Sequence, residues 1–140
     1  MILFLAAQDI SRMEAGLLNS EGRLISFQNF SVPPERYLVT VNQFLIDNSV
    51  SLESLKKIVV VSGPGSFTST RIIVTIANSL AFTKSLPIIG VENSTKQCSE
   101  DIIREFGLFW AEQKTTEFVS PVYDRPPHIT IKRSERSEGS

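Results

Sequence analysis

Apolar positions change period several times along this chain, and each change marks an element. Ile2 to Ala6 is an uninterrupted apolar run of strand length, and Met13 to Leu18 is a second. The turn residues Asn19-Ser20-Glu21-Gly22 lead into a third strand from Arg23 to Phe30. There Leu24, Phe27 and Phe30 do not alternate strictly, which predicts a bulge or a slip of register. Pro33 and Pro34 stand where proline is tolerated, in the first turn of a helix. Leu38, Val41, Phe44 and Leu45, joined by Val39, keep a helical period to about Asn48. Ser51 to Leu55 reads as a short helical turn, Lys57 to Ser62 as a fourth strand, and Ser66 to Lys84 as a second helix. Pro87 to Val91 reads as a fifth strand. Asn93 or Ser94 is placed to cap a third helix ending at Gly107, with Ile102, Ile103 and Phe106 turned inward.

A three-strand meander followed by two strand–helix alternations predicts an α/β fold: a mixed five-stranded sheet covered by helices. The natural candidate is a single ribonuclease-H-like lobe. Residues 1–107 are assigned to that lobe, 108–132 to a C-terminal segment packing on the lobe or on a partner, and 133–140 to a disordered Ser/Glu/Arg-rich tail. A chain of 140 residues suffices for one core, and 41% apolar with 21% charged residues is ordinary for a soluble protein. The net charge of -1 supplies no basic field for nucleic acid. One cysteine, Cys98, excludes an internal disulfide and a cysteine metal site. The apolar run from Met1 to Ala7 has no basic leader and is too short for a membrane span or signal peptide, so the expected location is cytoplasmic.

The segment Val59-Val60-Val61-Ser62-Gly63-Pro64-Gly65-Ser66-Phe67-Thr68-Ser69-Thr70-Arg71 is a strand, a glycine turn and a helix start. Such a turn aims backbone N–H groups and the positive end of a helix dipole at one point. On spacing alone it is either a tight βα turn or a cradle for phosphate, with Gly63, Gly65, Ser66 and Thr68 as the cofactor-binding candidates. It is not a Walker loop, because no Lys-Ser/Thr pair follows at the required distance, and Thr68 replaces the third glycine of a dinucleotide fingerprint. The helix after it is apolar over most of its circumference, leaving Arg71, Thr75 and Asn78 as a narrow polar stripe. One sheet needs only about a 100° apolar stripe. The excess is covered either by the chain's other helix or by a partner.

No nucleophile, base and orienting group can be assembled, so no catalytic residue is assigned. His128 sits in a proline-rich stretch and reads as exposed and inert, and Cys98 as a half-buried packing residue. Asp9, Glu14, Glu92 and Asp101 lie near strand ends, but the first strand has no interior carboxylate for two-metal chemistry, and no metal is expected. Trp110 and Phe109, near Phe106, read as core or partner contacts.

Ser62-Gly63-Pro64-Gly65-Ser66-Phe67-Thr68, then Arg71-Ile72, Ala77, Leu80-Ala81 and Leu86-Pro87-Ile88-Ile89-Gly90-Val91, resemble the TsaB (YeaZ) family over about residues 1–100. Pro121 to Pro127 resembles the segment that closes family chains. The resemblance implies the actin/Hsp70-like fold of two ribonuclease-H-like lobes. It also implies a place in making N6-threonylcarbamoyladenosine at position 37 of tRNA. There TsaB is the non-catalytic partner of the transferase TsaD, and the ATPase TsaE joins them. The chain departs from the family pattern. Leu5-Ala6-Ala7-Gln8 stands for a Leu-Asp-Thr-Ser-like motif, with Ala6 in the place of the aspartate. Ser69 and Ile73 replace glycines, and residues 100–118 stand where a second lobe belongs. The turn therefore reads as retained structure, and no cofactor is expected.

The chain is accordingly expected to be a reduced scaffold subunit. It would bind a TsaD-like protein through Leu38, Val41, Leu45, Ile72, Ile73, Ile76 and Leu80, with a TsaE-like ATPase as a further partner and tRNA met only through the complex. The alternatives are a nucleotide-binding enzyme of the same fold and a homodimer with an unrelated role.

Overall fold

Residues 1–113 and 119–120 are described by the computed structural model. Its sheet has the order β3-β2-β1-β4-β5, with β1 (Ile2–Ala6), β2 (Met13–Leu18), β3 (Leu24–Phe30), β4 (Lys57–Gly63) and β5 (Ile88–Glu92). Three strands form the antiparallel meander, while β4 runs parallel to β1 and β5 parallel to β4. Every residue of β1 and β4 is buried, as their unbroken apolar runs require of strands covered on both faces. Alternation then sorts the side chains. Leu3, Leu5, Ile58 and Val60 join one core cluster, and Ile2, Phe4, Val59 and Val61 the other.

Helices α1 (Tyr37–Asp47) and α2 (Phe67–Lys84) supply the first cluster through Tyr37, Phe44, Ile73 and Ala77; α3 (Ser99–Glu112) supplies the second through Ile102, Ile103 and Trp110. The result is a single α/β lobe of three layers. The irregularity expected in β3 is present: Leu17 faces Ser26 and Leu18 faces Leu24, so Ile25 is the extra residue and stays exposed. Among the described residues no helix is long and apolar enough to cross a membrane.

The third helix corrects four expectations. Cys98 rather than Asn93 or Ser94 occupies its N-cap, and that cysteine is exposed rather than half-buried. The helix does not end at Gly107 but continues to Glu112 and carries Trp110, which stacks on Phe4 at 5.8 Å. Phe106 does not turn inward and is 40% exposed. Gly107 reads in the sequence as a terminator, but it is a contact glycine. A Cβ there would lie 2.1 Å from the carbonyl oxygen of Gly22 in the β2–β3 turn.

The far end of α3 is closed by Lys57, the first residue of β4. Its buried Nζ donates to the carbonyl oxygens of Trp110 at 2.5 Å and Ala111 at 3.3 Å, and to that of Gln113. A cation at a helix C-terminus meets the negative end of the dipole and the carbonyls left without helical partners. Lys57→Met is expected to lower the unfolding free energy by about 2 kcal/mol, because those acceptors stay buried without a donor; the urea midpoint measures it. Gly107→Ala is expected to lower the melting temperature by several degrees, because backbone on both sides must move; differential scanning calorimetry checks this.

Candidate functional site

The parallel strands β1, β4 and β5 all end at the same edge of the sheet, where α/β folds place their ligands. Here that edge is closed by two amide side chains. Gln8, just past β1, donates from Nε2 to the carbonyl oxygens of Pro64 at 2.6 Å and Asn93 at 3.0 Å. Its Oε1 accepts from Asn93 Nδ2 at 2.8 Å. The backbone N–H of Asn93 donates to Gly63 O at 2.7 Å, and Asn93 Oδ1 accepts the N–H of Gln97 at 2.9 Å. One knot of hydrogen bonds thus joins the ends of three strands to the glycine turn.

The turn itself follows from its residues. Gly63 has φ +124°, a conformation that side chains resist, and the Gly63–Pro64 peptide is cis. Gly65 lies against Gln8: a Cβ there would meet Gln8 O at 2.6 Å and Thr70 Oγ1 at 2.7 Å. The N–H of Ser66 donates to Gln8 O at 2.7 Å, and Ser66 Oγ caps α2 by accepting the N–H of Ser69 at 3.2 Å. Gly63, Gly65, Ser66 and Thr68 are therefore brought into one turn. The amide and hydroxyl of Ser66 are already engaged within the chain, and Thr68 faces solvent on the first turn of α2. Sequence reasoning gave Gln8 no role and read Asn93 as a helix cap. The one signal available was a pair of amides just past the ends of β1 and β5, the two strands that flank β4, 85 positions apart.

Beside the knot is an open cavity of about 240 Å³, with Ala6 and Gln8 in its lining. Arg12 and Lys96 line it together with Asp9, Glu14 and Glu100, so its charges are mixed. Glu14 Oε1 accepts a hydrogen bond from Ser99 Oγ at the start of α3. Among the described residues no group of three or more His, Cys, Asp or Glu side chains is placed to hold a metal. His128 and the Pro121–Pro127 stretch lie outside the described residues.

The expected interface residues separate. Leu38 is 59% exposed on α1. Val41, Leu45, Ile73 and Ile76 are sealed in the lobe's own core, while Ile72 and Leu80 are half-buried against it. The helical period alone did not tell the inward from the outward face of α2. Val39 and Ile46, spaced seven positions apart on α1, are exposed like Leu38. Phe109 is exposed, whereas Trp110 is core.

The knot has a pH signature once altered. Gln8→Glu would aim a carboxylate at the carbonyls of Pro64 and Asn93, so the protonated form is favoured and the folded-state pKa rises above the ordinary value of about 4.3. A raised acid stabilises below its unfolded pKa and loses that contribution as pH rises through the folded value. The variant is expected to melt lower at pH 8 than at pH 5, measured against the unaltered chain across the same range.

Known proteins resemble this lobe over part of their length. The family described as TsaD, tRNA N6-adenosine threonylcarbamoyltransferase, matches residues 34–98. The tRNA threonylcarbamoyladenosine biosynthesis protein TsaB of Bacillus subtilis (strain 168) is 41% identical over 58 residues, 41% of this chain and 25% of that protein. YeaZ from Pseudomonas aeruginosa superposes on 66% of this chain and 43% of its own, with a TM-score of 0.57 and 28% identity. A second Pseudomonas aeruginosa structure, described as an uncharacterized protein with similarity to peptidase YeaZ, gives the same figures. The chain thus spans a quarter of the curated relative it matches and 43% of the solved ones. The family match carries the name TsaD, but the aligned identity and the shared fold go to TsaB and YeaZ. By sequence and by fold, this single ribonuclease-H-like α/β lobe is similar to part of the TsaB (YeaZ) proteins.

Proposed function

We propose that the chain is a non-catalytic scaffold subunit in the biosynthesis of tRNA threonylcarbamoyladenosine, docking on and stabilising a TsaD-like transferase. The observation that carries this reading is the occupancy of the glycine turn. The carbonyl of Gln8 takes the Ser66 amide, and the Gln8 backbone fills the space above Gly65. A phosphate cradle works through amides left unpaired at a helix start. Here the amide of Ser66 is engaged by the fold, which favours a scaffold over a nucleotide-binding enzyme. Similarity to TsaB supports the pathway.

Docking is assigned to α1, where Leu38, Val39 and Ile46 stand in water, with Ile72 and Leu80 of α2 adding half-buried surface. Each large apolar side chain covered by a partner contributes up to roughly 1.5–3 kcal/mol. A TsaE-like ATPase would join the same complex, and tRNA would meet this chain only through it. Residues 108–132 are assigned to the lobe or the partner contact and 133–140 to a dispensable tail.

Leu38→Glu and Ile46→Glu are expected to leave the circular dichroism spectrum unchanged and to weaken association with a TsaD-like protein by about tenfold or more. Unchanged association in both variants would overturn the assignment to α1. A chain that only self-associates would favour the homodimer. Calorimetry with ATP and Mg²⁺ is expected to show no binding near about 1 μM, or -8 kcal/mol; tight binding would sink the scaffold reading.

A further inference from the structure

Asn78 is the half-buried member of the polar stripe on α2. Asparagine is a poor helix former, and its amide needs partners for a donor and an acceptor. Both are supplied by one residue. Nδ2 donates to Val119 O at 2.8 Å, and Oδ1 accepts the Val119 N–H at 3.1 Å. A side-chain amide that engages both main-chain groups of one residue reads backbone rather than side-chain identity.

Across from it stands Gly90 of β5. The alternation of β5 turns Ile88 toward the α1/α2 layer, and Gly90, two positions on, shares that side. With no side chain there, the layer lacks an apolar group. The isopropyl group of Val119 fills the place: a Cβ on Gly90 would lie 2.7 Å from Val119 Cγ1, and Val119 packs against the α1/α2 cluster. Asn78 holds the backbone, and Gly90 leaves room for the side chain. The two come from different elements and converge on one residue.

We infer that Asn78 and Gly90 form a capture site for one residue of a chain segment, read through its N–H and C=O and bearing a small β-branched side chain. Its occupant is Val119 of the same chain. Six positions earlier, at Gln113, α3 ends in the opposite layer, so the seat ties the chain leaving one layer of the sheet to the helix of the other. The anchor does not depend on what docks on α1.

The test is amide hydrogen exchange by NMR on the full chain, comparing Asn78→Ala and Gly90→Val with the unaltered protein. The Val119 amide is expected to be protected in the unaltered chain. It is expected to exchange about tenfold faster or more in both variants, while the amides of β1 and β4 keep their rates. Asn78→Ala removes the acceptor without adding bulk, so it remains decisive if Gly90→Val disturbs β5. A Val119 amide that is unprotected in the unaltered chain, or equally protected in Asn78→Ala, would overturn the inference.

Discussion

The lobe depends on the amide knot at the open edge of its sheet. Parallel strands leave their C-terminal ends with main-chain groups that no neighbouring strand satisfies, and three such ends meet here. Gln8 and Asn93 answer them together, so that β1, β4 and β5 finish in register and the glycine turn enters α2 at a fixed angle. The arrangement stabilises more than its separate bonds would, because each amide holds the other in the orientation its remaining bonds need. The same contacts shape what the edge can offer a ligand. In this chain the space above the turn is filled from within, by the residue that comes after Ala6 and Ala7.

The lobe resembles TsaB and YeaZ in fold. Its α1 keeps Leu38, Val39 and Ile46 exposed, with the first core cluster behind them. At the end of β1, Ala6 and Ala7 stand in the sheet edge and Gln8 does the joining.

Most of the elements were legible in the sequence, because each is signalled locally. Five apolar runs became five strands, and Pro33-Pro34 and Ser66 opened helices where such residues do. The end of α3 was not legible. A glycine looks the same whether it stops a helix or lets another backbone touch it, and Gly107 does the second against Gly22. The knot was hidden for a related reason. Gln8 and Asn93 become partners only after the sheet has formed, and nothing near either one announces the other. The faces of α2 were ambiguous because apolar residues surround most of it. Only packing separates Ile73 from Ile72.

Lys57 carries a consequence of another kind. It belongs to β4, the strand buried on both faces, yet its ammonium group is held by the last carbonyls of α3. If the helix peeled away, the charge at the start of β4 would lose these acceptors at the moment three carbonyls lost their donor, so partial opening is penalised at both partners. The helix and β4 should behave as one cooperative unit, exchanging their most protected amides only when the whole lobe opens.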